Sequence, residues 1–347
     1  MPMDVEKVGK TIAYLRKRAG YTQKDLANRI GISDKAVSKW ERGQGLPDIA
    51  YLRKLSILLD TDTDSLLSGD VIHRGHGWEG ILMLSDNACR IGFSTVIYDK
   101  PLINFLLSYF LLVGIKKIHI VCEQAEREYI RQCFGSGEDY GVQIELHCQL
   151  REAASSEAQN FMILYGRCIL YGVDQTRFFQ KAMMNRDRPV ILALPKKNND
   201  SRMGIDANTL ASNKPSAFRK QYDYCSIPFL FIPSKSLEEA AEAKNLSLYA
   251  DQRVNYVEVL DRGFVDIEIN DWNDVQEASA FLKIVQDRCG MNVYCLEEVA
   301  WRRGFVSLEQ LQKLGMKHQG TAYGAYIESL YHRVKEKKTM PEQVNES

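Results

Sequence analysis

Apolar residues recur every three to four positions through the first seventy residues, the period of short amphipathic helices. Val8, Ile12 and Leu15 share one face of a helix that ends before Gly20. Thr22, with Asp25 three residues on, forms a capping-box pattern that opens a second helix with Leu26 and Ile30 inside. Gly31-Ile32-Ser33 makes the turn. Ser33 then caps a third helix, over 34–42, that buries Val37 and Trp40 and exposes Asp34, Lys35, Ser38 and Lys39. Pro47-Asp48 starts a fourth, with Leu52, Leu55 and Leu59 on its apolar side. From Trp78 the pattern changes to short apolar runs alternating with amphipathic helices, which predicts an α/β sheet. Strands are expected over 80–84, 118–122, 142–147, 161–165 and 189–194, and helices over 101–113, 126–133 and 174–184, folded as a doubly wound layer. Gly69, Gly75 and Gly77 punctuate the stretch between the two patterns. The division expected is therefore a first domain over 1–69, a linker over 70–77, a second domain over 78–332 and a disordered, charged tail over 333–347.

Composition changes this picture in one place. With 347 residues, 45% of them apolar and 26% charged, the chain is an ordinary globular one of two or three units, neither disordered nor collagen-like. Its formal net charge of zero conceals a basic segment: residues 1–54 hold twelve Lys and Arg against six Asp and Glu. A basic module suggests a polyanionic partner. The eight cysteines form no C-x-x-C pair, which argues against structural zinc on thiolates and against a disulfide scaffold. His73 and His76 have no second cluster near them in sequence and read as a solvated pair. No basic segment leads into an apolar one at the N-terminus, and the longest apolar run, over 101–115, is interrupted by Asn104 and too short for a bilayer. A cytoplasmic protein with no membrane partner is the expectation.

Two short helices joined by a glycine-containing turn, the second exposing Lys and Ser, is the helix-turn-helix layout. The string from Tyr21 to Gly43, YTQKDLANRIGISDKAVSKWERG, followed by Pro47, resembles the Cro-like phage-repressor helix-turn-helix family. The resemblance implies a double-stranded DNA partner. It places Asp34, Lys35 and Lys39 at positions that reach base edges, with Ser33 and Ser38 on the same surface, and Gln23 and Arg42 at phosphates. The residue types suit this, since lysine donates to guanine O6 and N7 and aspartate accepts from cytosine N4.

The second domain carries a different resemblance. Tyr98-Asp-Lys-Pro-Leu-Ile with Gly114-Ile, the stretch from Arg262-Gly-Phe to Val275-Gln-Glu-Ala-Ser-Ala-Phe-Leu282, the segment Cys295-Leu-Glu-Glu-Val-Ala-Trp-Arg-Arg-Gly-Phe-Val, and Tyr323-Gly-Ala-Tyr326 are similar to segments of sugar-nucleotide pyrophosphorylases, in particular glucose-1-phosphate thymidylyltransferases. The fold implied is an all-α five-helix DNA-binding domain followed by an α/β Rossmann-like nucleotidyltransferase domain of the nucleotide-diphospho-sugar transferase kind.

Nucleotidyl transfer needs a glycine-rich loop for the triphosphate, a cation over it and carboxylates for magnesium. Where the family has G-G-x-G-T-R-L and a lysine beyond, this chain reads Ser85-Asp-Asn-Ala-Cys-Arg-Ile-Gly-Phe-Ser94, with only Arg90 matching. Asp86 and Asn87 take the place of the phosphate-cradling glycines. The family's first metal aspartate, in L-G-D-N, falls on Arg167 within Tyr165-Gly-Arg-Cys, and the second falls on Glu268. A guanidinium repels the ion that an aspartate would hold, so the two side chains are expected to face each other as an ion pair. Gln149 falls at the family's nucleobase position and Lys214, before Pro215, at its sugar-phosphate position. Three readings remain open. The second domain is a non-catalytic sensor of a dTDP-sugar or related sugar nucleotide, or an active thymidylyltransferase attached to a DNA-binding module, or a part that only joins copies of the reader into a homo-oligomer. Loss of the loop glycines, the loop lysine and the first aspartate favours the first and third. No cofactor is then expected, and magnesium belongs only to the second.

Overall fold

The computed structural model describes residues 4–59, 61, 63–68, 77–84, 91–154, 156–195, 204–205, 224–243, 246–253, 256–260 and 263–339. The chain divides into two compact units, residues 1–76 and 77–347.

The first unit is helical: α1 (Val5–Arg18), α2 (Gln23–Ile30), α3 (Asp34–Glu41), α4 (Ile49–Leu58) and α5 (Thr63–Ser68). The caps are those the sequence predicts. Thr22 and Asp25 complete a reciprocal capping box, and the Ser33 hydroxyl accepts from the Ala36 N–H. Each such cap satisfies a backbone donor and is worth roughly 1 kcal/mol. Gly31 closes α2 in the left-handed region at φ 89°, where a Cβ is penalised, so the turn into α3 requires glycine. Val8, Ile12, Leu15, Leu26, Ile30, Val37, Trp40, Leu52, Leu55, Leu59 and Leu66 form one buried core.

The second unit is built on strands β1 (Trp78–Met83), β4 (Lys117–Val121), β5 (Gln143–His147), β6 (Asn160–Leu164), β8 (Val190–Pro195), β10 (Tyr224–Pro233) and β11 (Tyr256–Val259), ordered β11-β8-β10-β6-β1-β4-β5, with β9 (Gly204–Ile205) pairing β10. Two short ribbons pair β2 (Val96–Ile97) with β3 (Lys100–Pro101) and β7 (Cys168–Tyr171) with β12 (Val265–Glu268). β1, β4, β5 and β6 are mutually parallel, as expected, but β10 runs antiparallel to both β6 and β8. The sheet is thus mixed rather than purely parallel. Pro228 lies in β10 at an irregularity between Ile227 and Leu230, where the missing N–H breaks no ladder bond.

Helix α6 (Leu102–Leu112) accounts for the longest apolar run: every residue from Leu102 to Leu111 is buried, so it is a core helix covered all round, with the Ser108 hydroxyl returned to the Asn104 carbonyl at 2.7 Å. Helix α7 (Gln124–Phe134), which follows β4, is by contrast amphipathic and buries Ile130 and Phe134. No helix among the described residues is long and apolar enough to cross a membrane. One expectation is corrected here. The final helix runs Ala322–Thr339, so 333–339 continue it where an unstructured tail was expected. Val334 packs on the cluster of Leu308, Leu311 and Tyr331, and Lys335 sits over the Tyr331 ring, contacts the sequence period did not reveal. Residues 340–347, and 70–76 of the linker with His73 and His76, lie outside the described residues.

Candidate functional site

In the helical unit, Ser33, Asp34, Lys35, Lys39 and Arg42 are exposed, and Ser38 and Gln23 are half-exposed. All but Gln23 belong to α3 or its two caps, so one short helix presents them. Arg42 caps α3 at its C-terminus rather than belonging to it, with its Nε donating to the Ser38 carbonyl at 3.2 Å. Gln23 is held from behind. Its amide donates to Glu41 at 2.7 Å, and Glu41 receives a two-pronged bond from Arg16, Nε at 2.6 Å and Nη2 at 3.0 Å. Arg16 also donates to the Tyr21 carbonyl at 2.7 Å. This chain of bonds ties α1 to the start of α2 and the end of α3 through a pair whose side chains are only 9% and 7% exposed. Arg16 and Glu41 were not singled out from sequence, because nothing in local spacing joins positions 25 residues apart.

In the α/β unit, Gln149 and Arg167 follow the carboxyl ends of β5 and β6, the edge at which parallel sheets place their sites. β1 and β4 lie between those strands, so β5 and β6 stand three inter-strand spacings, or ~14 Å, apart. The change of winding direction falls between β1 and β6. Gln149 is exposed and caps the short helix α8 (Leu150–Ala153).

Arg167 is buried, 9% exposed, with its guanidinium 4.3 Å from the centre of the Phe93 ring. Burial pushes the carboxyl of Glu126 up, and the Arg167 charge draws it partly back. Its backbone is fixed by the β7–β12 ribbon: the Ile269 N–H donates to the Arg167 carbonyl at 2.7 Å, and Glu268 pairs with Cys168. The buried Tyr109 hydroxyl secures the same strand, donating to the Cys168 carbonyl at 3.2 Å and accepting from the Leu170 N–H at 2.8 Å. Arg167 and Glu268 therefore stand at facing ends of one ribbon. A permanent cation stacked on an aromatic ring is not a ligand for magnesium. Arg90, Asp86, Asn87 and Lys214 lie outside the described residues.

The segments that resemble the pyrophosphorylases converge elsewhere. Lys100, 1% exposed, donates to Asp99 at 2.8 Å and to Asn292 at 2.7 Å, and its ammonium lies over the rings of Phe105 and Tyr323. Burial pushes this ammonium down from its ordinary value, against the pull of Asp99. Glu297, fully buried, accepts from the Tyr323 hydroxyl and bonds His318 Nε2 at 3.0 Å. The Tyr326 hydroxyl donates to Glu298 at 2.5 Å. Gly324 is required because a Cβ there would stand 2.1 Å from the His318 carbonyl oxygen. Tyr-Asp-Lys-Pro, Cys-Leu-Glu-Glu and Tyr-Gly-Ala-Tyr are thus parts of one buried polar lock that fastens the C-terminal helices to α6. What this chain shares with the pyrophosphorylases here holds the fold together.

One cluster escaped the sequence reading: His119, Glu145 and His147, on adjacent strands β4 and β5, bring three metal-ligating atoms within 4.8 Å of one another. Its sequence signal is an alternation of His or Glu with apolar residues in two strands, which only their register joins.

Comparison with known proteins agrees with both halves. Residues 12–66 match the family model described as helix-turn-helix. The remainder is similar to the glucose-1-phosphate thymidylyltransferase of Neisseria meningitidis, 24% identical over 255 residues that cover 67% of this chain and 88% of the relative. It is similar also to that of Mycolicibacterium smegmatis, 24% identical over 288 residues covering 73% of this chain and 99% of the relative. Among solved structures, one assigned as a Bacillus anthracis glucose-1-phosphate thymidylyltransferase in complex with a sucrose superposes with a TM-score of 0.48 at 12% identity, over 59% of this chain and 94% of the other. The chain joins a helix-turn-helix DNA-binding domain to a thymidylyltransferase-like domain.

Proposed function

We propose that a chain so assembled is a sequence-specific transcription regulator whose thymidylyltransferase-like domain has given up nucleotidyl transfer and binds a sugar nucleotide of the dTDP-sugar class as a signal. The observation that carries this reading is the buried guanidinium of Arg167 at the carboxyl edge, stacked on Phe93, at a position the sequence resemblance gives to a metal-binding aspartate. Such a group cannot share magnesium with a triphosphate, but it suits the diphosphate of a finished sugar nucleotide, which needs a cation and no metal. Arg167 and Glu268 balance each other's charge when the ligand is absent, Gln149 meets the base, and Lys214 and Arg90 supply further cationic contacts. The polar lock around Lys100 and Glu297 preserves the framework in which these groups are held.

On the DNA side, Asp34, Lys35 and Lys39 read base edges, Ser33 and Ser38 border them, and Gln23 and Arg42 hold phosphates. The α/β domain pairs copies of the chain, so the operator is a rough palindrome with half-sites about 34–36 Å apart. Ligand bound to one arrangement of the pair changes the spacing of the reading helices and so the affinity for DNA.

The test is a calorimetric titration of the full chain with dTDP-glucose and dTDP-rhamnose, with and without magnesium. Saturable binding that needs no magnesium and that Arg167→Ala weakens supports the reading. Absence of binding to either ligand contradicts sensing and leaves the domain a means of assembly.

A further inference from the structure

The second unit carries a group of ligating side chains that the nucleotide reading does not use. His119 projects from β4 and Glu145 and His147 from β5. His119 and Glu145 are register partners and His147 is two residues beyond Glu145, so all three side chains leave the same face of the sheet. His119 Nδ1 lies 2.8 Å from His147 Nε2 and 3.4 Å from Glu145 Oε2, and His147 Nε2 lies 3.9 Å from the same oxygen. A tetrahedral zinc ion with bonds of about 2.1 Å sets its ligand atoms about 3.4 Å apart, the middle of this triangle.

The surroundings direct lone pairs toward the centre. Glu79 accepts from His119 Nε2 at 2.6 Å and from the Ser156 hydroxyl at 2.5 Å. Glu79, accepting from His119 Nε2, leaves Nδ1 as the ring nitrogen turned toward His147 and Glu145. On Glu145, the amide of Gln143 at 2.7 Å and the Lys117 ammonium at 3.4 Å both engage Oε1, so Oε2 is the oxygen turned to the imidazoles. His147 Nδ1 faces Glu152 Oε2 at 3.6 Å. Two imidazoles and a carboxylate that converge, each imidazole with a further carboxylate behind it, are the surroundings of a ligated metal. β5 is the edge strand of the sheet, and the Glu145 side chain is 35% exposed, so an ion reaches the site from solvent.

We propose that His119, Glu145 and His147 bind a divalent cation of the zinc class through Nδ1, Oε2 and Nε2, with water in the fourth position and Glu79 fixing the His119 tautomer. Two imidazoles and one carboxylate select a borderline transition ion over magnesium or calcium, which prefer oxygen.

The test uses the full chain, stripped with a chelator and titrated with zinc chloride against a chromophoric competitor, then with cobalt(II) to read the absorption of a low-symmetry site. One equivalent is expected in the wild type. Glu79→Gln, which leaves all three ligands in place, should weaken binding about 10–100-fold. Glu145→Gln should weaken it at least as much, and His147→Gln should abolish it, together with the cobalt absorption. Thermal melts in chelator identify any variant that has not folded, and Glu145, the most exposed ligand, is the variant least exposed to that objection. No zinc uptake by the wild type, uptake unchanged in Glu145→Gln and His147→Gln, or uptake that disappears on alkylating the cysteines instead would overturn the assignment.

Discussion

The guanidinium of Arg167, which follows the carboxyl end of β6, lies 4.3 Å from the centre of the Phe93 ring. Arg167→Asp therefore should not restore a metal site. It removes a cation–π contact worth about 0.5–2 kcal/mol and sets a second carboxylate near Glu126, which burial already drives toward its neutral form. The expected outcome is a lower urea midpoint for the second domain. A midpoint that rises when magnesium is added to the variant would contradict this reading of the site.

Glu41 receives both prongs of Arg16 and the amide of Gln23. Glu41→Ala leaves a nearly buried guanidinium without its carboxylate, a change that costs about 3–5 kcal/mol. It also frees Gln23 from the orientation that Glu41 gives it, in which its proposed phosphate contact would be made. Chemical unfolding followed by the fluorescence of Trp40 measures the first effect, and a filter-binding titration with operator DNA the second. Unaltered stability would show that the pair contributes nothing.

Lys35 and Arg42 separate two kinds of contact. Lys35→Ala is expected to cost about 1–3 kcal/mol on the operator and to relax specificity at one base pair. Arg42→Ala is expected to weaken all sequences alike and to reduce the slope of log affinity against log salt by about one. Equal losses on specific and random DNA for Lys35→Ala would move that residue from the base edges to the backbone.

Burial raises the Glu297 carboxyl, but the bonds from His318 and Tyr323 prevail and hold it below its ordinary value of 4.5. A carboxyl lower in the folded than in the unfolded chain stabilises fully above the unfolded value and stops doing so as pH falls through the folded one. The second domain should therefore lose stability below about pH 4.3, and Glu297→Gln should flatten that acid limb while lowering stability at pH 7. Urea midpoints at a series of pH values read both effects.

The local devices of this protein are written in its sequence and the long-range ones are not. Caps at Thr22 and Ser33 and the left-handed Gly31 depend on neighbours within three residues, so the helix-turn-helix unit is legible from the order of residues alone. The five leading strands follow their apolar runs for the same reason. β10 escapes because Pro228 argues against a central strand, and only the irregularity in its pairing accommodates the ring. Arg167 can be singled out by resemblance, yet its partner ring at Phe93 is 74 positions away. His119 carries no local signal, and only the β4–β5 register sets it beside Glu145 and His147. The polar lock is intermediate: its segments are recognisable, but that Lys100, Asn292 and Tyr323 meet is a fact of packing.

The proposed regulatory role depends most directly on an absence of nucleotidyl transfer. Purified full-length protein incubated with dTTP, glucose-1-phosphate and magnesium should release no pyrophosphate above the level of the Arg167→Ala variant, while dTDP-glucose binds the same preparation. Magnesium-dependent release of pyrophosphate with formation of dTDP-glucose would contradict it and make the chain an active thymidylyltransferase joined to a DNA-binding module.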